Sequence, residues 1–75
     1  MTPDELYEAR ARLGELWNYG RPIKAAELGR ALRLGGRSPG ESIRDYERGK
    51  TGISGPISVA VDLFLSGVIP PDGLP

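Results

Sequence analysis

Residues 35–50 read GGRSPGESIRDYERGK, and this stretch decides the fold. Gly35 and Gly36 stop whatever helix precedes them. Ser38-Pro39-Gly40-Glu41 then has the make-up of a helix start: a serine to cap, a proline in the first turn, and a glutamate three residues after the cap. The predicted helix runs to about Arg48, and Gly49 ends it. Helical spacing turns Ile43, with Tyr46 or Glu47, toward a core and leaves Glu41, Ser42, Arg44, Asp45 and Arg48 on the polar sides. A helix that only filled a core would have no use for so mixed a polar face.

Working outward, Lys24 to Leu34 predicts a helix with Ala25, Leu28, Ala31 and Leu32 inward, entered through an Arg21-Pro22 linker. Before it, Thr2-Pro3-Asp4-Glu5 is another start signal. Leu6, Ala9, Leu13, Leu16 and Trp17 form its apolar stripe, and the helix is expected to end between Asn18 and a left-handed Gly20. After the central stretch, Ile53-Ser54-Gly55-Pro56 leads into a helix over roughly 56–66 that is apolar on nearly every side. The closing VIPPDGLP is too rich in proline to continue it, so residues 70–75 are expected to form an extended or disordered tail after a single domain over 1–69. No strand-like alternation occurs, and the expected class is all-α, a compact bundle of four to five helices.

Seventy-five residues without cysteine or histidine exclude disulfides, thiolate nucleophiles, most zinc sites and a histidine base. No glycine-rich phosphate loop stands near the carboxylates, so no enzyme, cofactor or metal is expected. No basic, apolar leader and no run of 18 apolar residues is present, which predicts a cytoplasmic protein with no place in a membrane. Net charge is zero, but it is unevenly spread. Residues 21–50 hold eight bases against four acids, while the flanking segments are net acidic. That polarity would orient the chain toward a polyanion.

The segments AAELGRAL (25–32) and SIRDYERGKTGISGP (42–56), with RARLG (10–14) at the end of a first helix, resemble the Cro/C1-type (XRE-family) helix-turn-helix domain over roughly two thirds of the chain. The resemblance implies a lambda-repressor-like bundle that binds a two-fold operator as a dimer, with helix three in the major groove. It also implies a structural ion pair between Arg10 and Glu47, which match the family's paired helix-one arginine and helix-three glutamate. The chain departs from the pattern in three places. ELWNYGRP is inserted before helix two, the GGRSPG turn is expanded, and Ala25 stands where a glutamine is common.

For a DNA reader, Arg37 and Ser38 sit at the tip of helix three, and Arg37 and Arg44 are the main base or phosphate contacts. Glu41 or Asp45 would accept from cytosine or repel wrong sites, with Ser42 beside them. Lys24, Arg48, Lys50 and Thr51 suit phosphates, as does the start of helix two. Against this, Asp45 with Arg48, and Arg44 with Glu41 or Arg48, lie at spacings that also make a plain solvated charged face. Arg30 and Arg33 read as surface charges, and Trp17 and Tyr19 as core packing in preference to stacking on a base. A homodimer through the helix at 56–69 is expected, and the alternative is a protein-interaction module or antitoxin that uses the same helix against a protein partner.

Overall fold

In a computed structural model that describes residues 1–35 and 38–75, the chain forms α1 (Pro3–Leu16), α2 (Ala25–Ala31), α3 (Pro39–Glu47) and α4 (Gly55–Leu65). No strand occurs among the described residues, so the expected all-α class holds with four helices.

Two of the four starts are capped by side chains. At α1 the Thr2 hydroxyl accepts from the Glu5 amide at 3.2 Å while the Glu5 carboxylate accepts from the Thr2 amide at 2.8 Å. At α4 the Ser54 hydroxyl accepts from the Ile57 amide at 3.4 Å. Lysine carries no acceptor, so α2 has half of such a cap: the Lys24 amide donates to Glu27 at 2.7 Å. The cap expected at Ser38 does not form. Ser38 has the extended backbone of an N-cap, but its hydroxyl makes no bond to the helix amides and instead accepts from Arg44 at 3.3 Å.

All four helices end in the same way. The first residue past the C-cap turns left-handed, and the next amide reaches back to the third-last helical carbonyl: Tyr19 to Gly14, Leu34 to Gly29, Lys50 to Asp45 and Val68 to Leu63, at 2.8–3.0 Å. Gly49, as expected, and Gly67 fill the left-handed position of α3 and α4. In α1 it is Asn18 (φ 61°), two residues before the expected Gly20, and in α2 it is Arg33 (φ 56°), which ends the helix before Gly35 is reached. Asparagine tolerates this region through its short polar side chain; arginine has no such excuse.

The core joins Leu6, Ala9, Leu13 and Trp17 of the α1 segment to Leu28, Ile43, Val61 and Phe64. Trp17 meets the Phe64 ring edge-on at 5.9 Å. Leu16, expected in the stripe, is 46% exposed, whereas Ile23, between the Arg21-Pro22 linker and the expected start of the second helix, is fully buried. Each large aliphatic side chain taken wholly from water adds about 1.5–3 kcal/mol. Residues 70–75 have no helix, as expected, but they do not trail away: Pro70 is buried, and Asp72 lies against Arg33 with N–O distances of 2.7 and 2.8 Å. No helix among the described residues is long and apolar enough to cross a membrane.

Candidate nucleic-acid interface

The polar face of α3 matters only if the opposite face fixes the helix in place, and four contacts do so. Ile43 is fully buried. Near the start of α3, a methyl group on Gly40 would stand 2.7 Å from the Ala26 amide nitrogen, so only glycine lets α3 approach α2 so closely. Gly29 of α2 meets the Pro39 carbonyl in the same way, and any side chain there would collide with it. At the far end, Glu47 takes two hydrogen bonds of 2.7 Å from Arg10, the ion pair expected between helix one and helix three.

Arg10 does more than pair. Its third donor reaches the Ile23 carbonyl at 3.0 Å, and its own carbonyl accepts from the Ile23 amide at 3.1 Å. One residue thereby ties α1 to α3 and to the lead-in of α2, which explains why Ile23 is buried just after the Arg21-Pro22 linker. Arg10 and Glu47 side chains are 17% and 14% exposed, so the pair is largely shielded and its bidentate geometry is held on both sides.

The outward side of α3 carries Glu41, Arg44 and Arg48 exposed, with Ser42 and Asp45 partly buried; Lys50 and Thr51 follow, also exposed. Arg44 folds back toward the N-terminal tip, where it meets Ser38 and comes within 3.0 Å of the space a Gly40 methyl would occupy. Among the described residues the guanidinium at the tip of α3 has one hydrogen-bond partner, the Ser38 hydroxyl. Arg37 lies outside the described residues.

Three ion pairs occur among the described residues: Arg10–Glu47, Arg21–Glu27 and Arg33–Asp72. None of them lies on the outward face of α3. The helix-neighbour pairs that a plain solvated face would make, Asp45 with Arg48 and Arg44 with Glu41, are not among them. Lys24, Arg44, Arg48 and Lys50 are exposed and form no ion pair with any described residue.

The start of α2 is less open than expected. Its Lys24 amide is taken by Glu27, and the Arg21 guanidinium, doubly bonded to Glu27 at 2.8 and 3.0 Å, holds that carboxyl at about 2, far below its ordinary 4.5. A carboxylate ionised at every ordinary pH thus stands where a phosphate was expected. The lysine side chain remains available, while its backbone amide does not. Trp17 is buried and Tyr19 half-buried against the core, as their spacing predicts.

Two features of this site have no signal in local sequence. The Ser38–Arg44 bond spans six residues, and the Arg10–Ile23 bonds follow from where the inserted ELWNYGRP segment returns to α1. Comparison of the chain with protein-family models, with curated proteins and with solved structures found no match.

Proposed function

We propose that the chain is a sequence-specific regulator that binds duplex DNA with α3 in the major groove, in the manner of the Cro/C1-type domains it resembles. The observation that carries this reading is the division of labour on α3. One side is fixed by Ile43, Gly40 and the Glu47–Arg10 pair, and the other is polar, largely exposed and, among the described residues, without ion pairs. An α-helix, about 10–12 Å across with its side chains, fits a groove about 12 Å wide.

In that pose Arg44, at the tip, forks onto guanine, and Glu41 or Asp45 accepts from cytosine or excludes other bases. Ser38 and Ser42 add short hydrogen bonds, while Lys24, Arg48, Lys50 and Thr51 meet phosphates and fix the register. Arg37 is assigned to the same tip on its sequence position alone. The Arg10–Glu47 pair touches no base and serves to aim the helix.

Two copies would bind a two-fold operator. Val59, Leu63, Val68 and Ile69, between 48% and 59% exposed, lie on and just after α4 and supply an apolar surface suited to such a pairing. The same surface supports a second reading, a module that docks a protein partner, in which α3 would be a bystander.

Selection of bound duplexes from a random pool at about 50 mM salt separates the two. The DNA reading expects a recovered palindrome and an affinity that falls with salt at a logarithmic slope of about −3 per protomer, near 0.9 for each phosphate met by Lys24, Arg48 and Lys50. Failure to enrich any duplex at that salt would leave only the protein-docking reading.

A further inference from the structure

Arg33 is the anomaly among the four helix ends. The other left-handed positions are held by Asn18, Gly49 and Gly67, residue types suited to that backbone; α2 alone places a long cationic side chain there. An unfavourable backbone position kept by an unsuitable residue points to the side chain as the reason. The Arg33 side chain is engaged: its Nε and Nη2 donate to both oxygens of Asp72, 39 residues away, at 2.8 and 2.7 Å.

Asp72 belongs to a turn in which the Gly73 amide donates to the Pro70 carbonyl at 2.9 Å, with Pro70 itself buried. Beyond the turn, Leu74 and Pro75 line one cleft with Ala31 and Leu34. Leu34 is the third residue past α2, between it and α3.

We infer that residues 70–75 act as a strap, buckled by Arg33, that holds the exit of α2 and so fixes how the chain enters α3; Arg33 and Asp72 are positioning residues for the reading helix. The consequence for DNA rests on the function proposed above. The strap itself does not.

Charge makes the inference testable. Asp72→Asn removes a negative charge, which by electrostatics alone would tighten binding to a polyanion. A strap that aims α3 predicts the reverse. The exposed pair is weak alone, so the full chain carrying Asp72→Asn with Leu74→Ser is compared with the parent by backbone relaxation and by titration with a duplex the parent selects.

The order parameters of Gly73 and Leu34 are expected to fall from about 0.85 toward 0.6 or below, and duplex affinity to drop at least twofold. Unchanged order at Leu34 overturns the inference, as does unchanged or tighter duplex binding once Gly73 has been freed. Arg33→Gly is the folding control: it suits the left-handed backbone, so the thermal midpoint should hold or rise while Gly73 loosens, and a Gly73 as rigid as in the parent removes Arg33 from the account. Should the parent select no duplex, the DNA reading fails by itself, and the strap stands or falls on Leu34.

Discussion

Arg10–Glu47 and Arg33–Asp72 are almost the same object in two settings. Each is an arginine gripping a carboxylate through two hydrogen bonds of 2.7–2.8 Å. Side-chain exposure is 17% and 14% in the first pair, against 63% and 58% in the second. Distances alone would rank them equal. Solvent separates them: water competes for every donor of the outer pair, whereas the inner one, if broken, leaves a charge with little water to turn to. Arg21–Glu27 lies between, with an exposed arginine and a carboxylate only 12% accessible.

The largest effect should therefore come from the inner pair. Arg10→Met is expected to cost about 2–3 kcal/mol in denaturant unfolding, somewhat below a fully buried pair because some water reaches both groups. The double change Arg10→Met with Glu47→Leu should recover much of that loss, since it removes the stranded carboxylate; a double variant as unstable as the sum of the singles would show that the pair's charge is not what matters.

The middle pair titrates. Glu27 is held at about 2 by Arg21 against an ordinary 4.5, so its folded value is depressed. Its contribution is fully present above about pH 4.5 and lost as pH falls toward 2. Urea midpoints should decline over that window, and the decline should be shallower in Glu27→Gln than in the parent. Parallel curves would place the acid sensitivity elsewhere.

The outer pair should hardly register in global stability. Asp72→Asn is expected to move the thermal midpoint by less than about 2 °C. Arg33→Gly should raise it by about 2–6 °C through relief of the left-handed backbone. A fall on the scale of Arg10→Met in either variant would erase the contrast between the two settings.

These contrasts also mark what the sequence could and could not disclose. Helix number and order were readable because start signals and apolar spacing are local, and Thr2, Ser54, Gly49 and Gly67 behave as local rules require. Ser38 obeys the same composition rule and breaks it in space, because the Arg44 guanidinium, one turn and more away, takes its hydroxyl. Arg33 ends α2 ahead of two glycines that advertise the stop, because it has a partner 39 residues on that no local pattern reveals. Ile23 is buried for the same kind of reason: Arg10 binds both its amide and its carbonyl. The Arg10–Glu47 pair was legible only through resemblance to a family, while the emptiness of ion pairs on the outward face of α3, among the described residues, required the geometry. Spacing alone allowed its charges to pair with each other.

That emptiness is the centre of the account, and one comparison of two equal charge deletions tests it. Arg44→Ala and Arg12→Ala each remove one exposed arginine, the first from the tip of α3 and the second from α1 beside Asp62. Titrated into a selected duplex at the same salt, Arg44→Ala should weaken binding by about 1–3 kcal/mol and relax the sequence preference, while Arg12→Ala should change it less than twofold. Equal losses from the two variants, or no loss from Arg44→Ala, would contradict the claim that α3 reads DNA.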